Sequence, residues 1–206
     1  VIISTGASAR MLGLEEEEQL MGYGISTCAT CDGYFFKEKN IVVVGGGDSA
    51  MEEASFLTKF AKKVTIIHRR EVFKASKIML DRVRNNPLID IVVNKSIESI
   101  KGTQQDGISS IVLKDTVSGE SSTFECEGVF YGIGHTPNTD LFKGMIDLND
   151  NGYIITQSDS SLTNIPGVFA CGDVQDDHYR QAITAAGSGC MAAIDAEKYL
   201  EENIIE

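Results

Sequence analysis

The chain is most tightly constrained at Ile41-Val42-Val43-Val44, an apolar run that passes straight into Gly45-Gly46-Gly47-Asp48-Ser49-Ala50. A continuous apolar run closed by a glycine turn predicts a strand buried on both faces of a parallel sheet. From Asp48 the pattern turns helical: Ala50, Met51, Ala54, Leu57 and Phe60 fall on one face, with Glu52 and Glu53 outward. Gly45-x-Gly47-x-x-Ala50 between strand and helix lets backbone approach a dinucleotide pyrophosphate at a helix N-terminus. Gly45, Gly47, Asp48, Ser49 and Ala50 are therefore candidate nucleotide contacts; a glycine turn serving packing alone is the plainer alternative. The next strand, over 64–67, ends in His68-Arg69-Arg70, with Lys74 four residues on. A carboxylate in that place would bind a ribose 2′-hydroxyl, whereas a cationic cluster suits a 2′-phosphate. NADPH is expected, against the alternative of a solvated basic turn.

Around this unit the pattern predicts a strand over 1–5 and a tight turn at 6–9. A helix over 76–84 stops before Pro87, and strands follow over 89–93 and 96–100. Segments 108–114 and 122–126 pair as a hairpin across Val117-Ser118-Gly119, before a buried strand over 129–133. A strand over 168–171 ends in Gly172-Asp173, and alanine-rich sequence over 180–200 predicts one long helix. The acidic run from Glu15 to Glu18 is expected to be a solvated face. Gly187-x-Gly189-x-x-Ala192 repeats the nucleotide spacing, but it lies inside a helical pattern with no strand before it. Packing is expected there. The order β-α-β-α-β, hairpin, return strand predicts an α/β fold, a doubly wound three-layer (Rossmann-like) nucleotide domain. The first strand and everything after Gly134 read as parts of a second domain, giving expected segments 1–10, 11–134 and 135–206.

Cys28-Ala29-Thr30-Cys31-Asp32-Gly33 carries the other chemistry. Thiols at this spacing close a disulfide at a turn or helix start, where one thiol is acidified. Asp32 either moves a proton during thiol exchange or forms the turn before Gly33. Zinc would need a second pair, and only Cys126, Cys171, Cys190, His68, His135 and His178 are on offer, all scattered. No metal is expected, and the three single cysteines are read as inert core residues. One pair among five cysteines fits a reducing compartment, so a cytoplasmic location is expected. A net charge of −12 argues against nucleic acid or an anionic membrane as partner. No apolar run approaches the roughly 20 residues that span a bilayer. The chain opens in a strand pattern, Val1-Ile2-Ile3-Ser4-Thr5-Gly6, and is read as the later part of a longer protein, which leaves organelle targeting open.

Six motifs share an order and spacing with a known family. They are the Cys28 to Gly33 stretch, Gly45 to Ala50, His68-Arg69-Arg70, Gly132-Ile133-Gly134-His135-Thr136-Pro137, Cys171-Gly172-Asp173-Val174 and Tyr179 to Gly187. Together they resemble the low-molecular-weight thioredoxin reductases, from Val1 to about Leu200. The resemblance implies a homodimeric flavoenzyme with two nucleotide-binding domains, the NADPH domain inserted in the FAD domain. Electrons would pass from NADPH through FAD to the Cys28–Cys31 disulfide and on to thioredoxin, with domain rotation alternating the flavin's partner. Asp32 would be the acid. Gly172, Asp173, Arg180, Gln181 and Ala182 would contact the flavin, with Thr5, Gly6, Ile133 and Gly134 as further cofactor contacts. Lys74 stands where the family has an arginine, keeping the charge without the bidentate fork. The family's N-terminal FAD fingerprint would precede Val1, so an incomplete FAD domain is expected, and these residues alone are not expected to turn over. Alternatives are an NADPH-binding fragment without flavin, or the flavoprotein reductase of a peroxiredoxin system; the latter's usual NADH preference suits His68-Arg69-Arg70 poorly.

Overall fold

The computed structural model describes residues 1–203; positions 204–206 of the expected 135–206 segment lie outside the described residues. The chain forms two compact units, Val1–Ala9 together with the chain from His135 onward, and Arg10–Gly134 between them. Strands β1 (Ile2–Ile3) and β2 (Ala7–Ala9) open the first unit.

The inserted unit begins with α1 (Glu17–Leu20), β3 (Ile25–Ser26) and α2 (Ala29–Asp32). It continues through β4 (Asn40–Val44), α3 (Asp48–Leu57), β5 (Lys63–His68), α4 (Lys77–Arg84) and β6 (Ile89–Val93). Strands β7 (Lys95–Thr103), β8 (Gly107–Asp115), β9 (Ser121–Glu125) and β10 (Val129–Tyr131) complete it. The order β3-β10-β4-β5-β6 is parallel throughout, and β7-β8-β9 form an antiparallel sheet.

Alternation along the parallel strands splits the core into two layers. Ile41, Val43, Val64, Ile66 and Phe130 pack with Ala50, Met51, Ala54 and Leu57 of α3. Val42, Val44, Ile67, Val129 and Tyr131 pack with Ile97, Ile100, Ile111 and Leu113 of the antiparallel sheet. That explains why β4 from Ile41 and β10 are continuously apolar: both faces are covered, and each side chain so buried contributes about 2 kcal/mol. Helix α3 ends at Leu57, so Phe60 lies in the turn beyond it, its ring 6.0 Å from Tyr34 and 5.7 Å from Phe56.

The acidic run is not a uniformly solvated face. Glu17 is 7% exposed. Its carboxylate accepts the Tyr131 hydroxyl at 2.8 Å and the N–H groups of Leu12 and Gly13 at 2.8 and 3.1 Å. Burial first, then this hydrogen bond and the Glu17 charge, pushes the Tyr131 phenol upward, so it stays a donor. Glu17→Ala leaves three donors without their acceptor and is expected to cost about 3 kcal/mol. A lowered urea midpoint would show it; an unchanged midpoint would mean that water replaces the carboxylate.

In the first unit β1 pairs in parallel with β12 (Phe169–Ala170), and β2 pairs antiparallel with β11 (His135–Pro137). The expected tight turn at 6–9 is instead strand β2 after Gly6, which has φ of +70°; its strand partner, Pro137 for Ala7, is far away in sequence and leaves no local signal. Ile3, Ile146, Ile154, Ala170 and Val174 form one cluster, and Phe169, Cys171 and Ala192 another. Helix α5 (Ala182–Asn203) carries the alanine-rich segment. Asp195 on α5 accepts the Ser160 and Ser161 hydroxyls and the Ser161 N–H, tying the preceding loop to the helix.

Candidate nucleotide and dithiol sites

Strand order reverses between β4 and β10, because β5 and β6 lie on the other side of β4. In an open parallel sheet the crevice beyond the strand ends at such a reversal is where ligands bind. A groove of about 660 Å³ lies there, lined by residues 44–47 and 49, 67–70, 72, 74 and 132–134. It brings together Gly45, Gly47, Ser49, His68, Arg69, Arg70, Lys74, Ile133 and Gly134. Arg10, Met11, Leu12, Lys95, Ser96 and Ile97 also line it, and sequence reasoning missed them.

Asp48 and Ala50 stand behind the turn. A Cβ on Gly45 would sit 2.6 Å from Ala50 Cβ, and one on Gly132 2.8 Å from Ala50 Cα. Small residues at these three positions let β4, β10 and α3 meet. A Cβ on Gly47 would meet nothing within 4 Å, so bare backbone faces open space. That is the cradle a pyrophosphate needs. The Asp48 carboxylate accepts the Ser76 N–H at 2.7 Å, and Gly46 O accepts the N–H groups of Lys74 and Ala75 at 2.8 and 3.0 Å. These bonds tie the glycine turn to the segment that carries Lys74.

Charge in the groove is unequal among the basic residues. The His68 ring stacks on Phe73 at 4.6 Å, and Nε2 lies 3.2 Å from Val72 O. Burial first, helped by Arg69 and Arg70 and opposed by Val72, keeps its pKa below the ordinary histidine value. His68 is therefore neutral at pH 7 and supports the turn. Lys95 Nζ is committed to Asp115 at 2.8 Å. That bond, with the Ser118 and Val117 N–H groups, holds the Asp115 carboxyl well below the usual range. Arg69 and Arg70 are exposed and make no ion pair among the described residues. A 2′-phosphate would find its charge there and at Lys74.

Cys28 and Cys31 are joined in a disulfide at the start of α2. The Cys31 N–H donates to Cys28 Sγ at 3.2 Å, and Thr30 Oγ1 lies 3.4 Å from the same sulfur. Both contacts favour a thiolate at Cys28 once the bond is reduced. Cys28 is half-buried and Cys31 exposed. The buried Ser26 hydroxyl donates to Asp32 Oδ2 at 2.7 Å and accepts the Cys28 backbone N–H at 3.1 Å, tying the carboxylate to the backbone at the first cysteine. Ser26 was not anticipated; a lone serine at the end of a two-residue strand has no sequence signature. Of the single cysteines, burial pushes the Cys126 thiol up to about 12 and raises that of Cys171. Cys190 is not a core residue but exposed, because Ala192 is the one buried residue described on α5.

Thr5-Gly6 and Gly172-Asp173 follow the carboxyl ends of the parallel pair β1 and β12, so the structure brings these four together. Thr5 Oγ1 donates to Asn138 O at 2.7 Å, and the Gly172 N–H donates to Ser188 Oγ on α5 at 2.9 Å. Arg180, Gln181 and Ala182 lead into α5. Their loop is shaped by Asp176: burial alone would raise its carboxyl, but the N–H groups of Tyr179, Arg180 and His178 and the Thr184 hydroxyl hold it low. Strand ends, a glycine at φ +72° and a helix start suit an anionic cofactor edge. Among the described residues no group of His, Cys, Asp or Glu could hold a metal, and no helix is long and apolar enough to cross a membrane.

A phosphate cradle at the switch point of a parallel sheet, with a disulfide on the same unit, defines a dinucleotide-binding disulfide protein. The pyridine nucleotide-disulphide oxidoreductase family matches over residues 1–189, and the chain belongs to that family. It is similar to the thioredoxin reductase of Mycolicibacterium smegmatis, 55% identical over 98% of this chain and 64% of that protein. The Rickettsia typhi thioredoxin reductase is 51% identical over 98% of this chain and 66% of its own length. The Streptococcus pyogenes thioredoxin reductase structure superposes with a TM-score of 0.92 at 42% identity, covering 98% of this chain and 65% of that one. The structure from Giardia duodenalis gives 0.90 at 42% identity, over 97% and 65%. The chain thus spans about 62 to 66% of the length of the curated relatives named thioredoxin reductase.

Proposed function

We propose that the protein is a thioredoxin reductase in which NADPH electrons reach the Cys28–Cys31 disulfide by way of FAD and pass on to oxidised thioredoxin. The observation that carries this is the joining of a nucleotide cradle and a helix-start disulfide in one unit, in a chain 55% identical to a thioredoxin reductase. When bound, NADPH supplies a hydride and FAD converts it into an electron pair deliverable to a disulfide. Gly45 and Gly47 would face the pyrophosphate, and Arg69, Arg70 and Lys74 the 2′-phosphate. Thr5, Gly6, Gly172, Asp173 and the loop at Arg180-Gln181-Ala182 would hold the flavin.

Two electrons and two protons convert the Cys28–Cys31 bond to a dithiol. One thiolate then attacks the partner's disulfide, and the other thiol displaces the partner from the mixed disulfide. The partner leaves as a dithiol and the chain regains its S–S bond. Asp32, pinned by Ser26, would give or take the proton at the departing or attacking sulfur. Tyr34 and Phe35, 67% and 72% exposed just beyond α2, offer an apolar platform for a protein carrying the disulfide. A cytoplasmic setting fits Cys126 and Cys171, which remain free thiols. The test is NADPH-dependent reduction of oxidised thioredoxin by the flavin-loaded protein, read through insulin precipitation. NADPH oxidation without thioredoxin reduction would remove thioredoxin from the account.

A further inference from the structure

Basic residues are unevenly placed on the inserted unit. The chain carries a net charge of −12, yet Lys37, Lys39, Lys59 and Lys62 gather in one patch. Backbone bonds assemble it. The Glu38 N–H donates to Phe60 O at 3.0 Å and the Lys62 N–H to Lys39 O at 2.9 Å, so the loop after the Gly33–Phe36 turn runs beside the loop after α3. Lys39 Nζ lies 5.5 Å over the Phe36 ring and Lys59 Nζ 4.5 Å over the Phe56 ring, which fixes their stems without neutralising them. None of the four forms an ion pair among the described residues. Glu38 is the carboxylate on these loops; Glu127, on the connection to β10, lines a groove with Lys39, Asp32 and Asp106, so the uncompensated charge lies on Lys37, Lys59 and Lys62.

The patch adjoins the disulfide. Helix α2 runs directly into the Gly33–Phe36 turn, and the Tyr34 ring meets Phe60 at the edge of the lysine loop. We propose that this basic patch is the electrostatic part of the docking surface for the protein disulfide substrate, and that it selects partners whose disulfide is flanked by acidic surface. This rests on the reductase function proposed above. The rest of the chain is net acidic, and the cationic cluster of Arg69, Arg70 and Lys74 lies in the groove assigned to the nucleotide. Screening over roughly 8–10 Å at physiological salt confines the attraction to the patch. The partner's disulfide is therefore presented to Cys28–Cys31 rather than to another face.

The test uses the flavin-loaded full-length reductase, oxidised thioredoxin of net negative charge, and the double variant Lys59→Glu/Lys62→Glu. The expected result is a KM for thioredoxin raised about tenfold, with kcat at saturation within about twofold. Wild-type KM should rise between about 20 and about 300 mM salt, and that of the variant should not. Lys37→Glu/Lys62→Glu preserves the Lys59–Phe56 stack and should behave alike, which separates lost charge from lost packing. If wild type reduces thioredoxin and both variants keep its KM and salt response, the patch proposal is overturned while the reductase function stands. Unchanged KM with loss of co-sedimentation on phosphatidylserine vesicles would overturn it in favour of a membrane contact. No thioredoxin reduction by wild type would overturn both.

Discussion

Cys28→Ser and Cys31→Ser are each expected to lower thioredoxin reduction by more than about 10³-fold, because neither variant can take up an electron pair as a dithiol and release its partner from a mixed disulfide. Nucleotide affinity should stay within about twofold, since neither sulfur lines the switch-point groove. The variants differ in what remains. Cys28→Ser leaves the exposed Cys31 thiol without its neighbour, so a mixed disulfide with thioredoxin should accumulate and be visible on a non-reducing gel. In Cys31→Ser the surviving thiol is half-buried, so access for the partner's disulfide is poorer and trapping should be slower. Activity within tenfold of wild type in either variant would place the electron-carrying disulfide elsewhere, and no other disulfide occurs among the described residues.

Arg69→Ala/Arg70→Ala is expected to lower kcat/KM for NADPH by about 10²- to 10⁴-fold, from the loss of charge-assisted bonds worth roughly 1.5–3 kcal/mol each. With NADH, which lacks the 2′-phosphate, the change should be less than about threefold. The two guanidiniums are free to serve because no carboxylate among the described residues claims them, and the Thr116 hydroxyl donates to Arg69 O at 3.1 Å, fixing the backbone they project from. His68→Asn should matter less, since that ring is stacked and uncharged at neutral pH. Equal losses with NADPH and NADH would mean that the arginines hold the turn rather than the phosphate.

What the sequence made legible was local chemistry. The run from Ile41 to Ala50 shows in sequence because strand, glycine turn and helix follow one another within ten residues and each obeys its own period. The same holds for Cys28–Cys31, where spacing alone limits the geometry. The groove's remaining wall was not legible. Arg10, Met11 and Leu12 reach it because Glu17 holds the Leu12 and Gly13 N–H groups, and Glu17 is itself held by Tyr131, 114 residues away. An acidic run has the composition of a solvated face; only a long-range donor reveals that one member is buried. Ser26 was hidden for a related reason: its partner Asp32 was visible, but their meeting depends on how β3 ends against α2. Asp48 looked like a phosphate-loop residue by position, yet its carboxylate binds the Ser76 N–H. Cys190 had apolar neighbours in sequence but sits on an exposed face of α5.

The most direct measurement is anaerobic addition of one equivalent of NADPH to the flavin-loaded reductase, followed by alkylation and mass mapping of the new thiols. The account predicts new alkylation at Cys28 and Cys31 together, with Cys126, Cys171 and Cys190 as in the oxidised sample. NADPH consumed while the Cys28–Cys31 bond stays intact would contradict it.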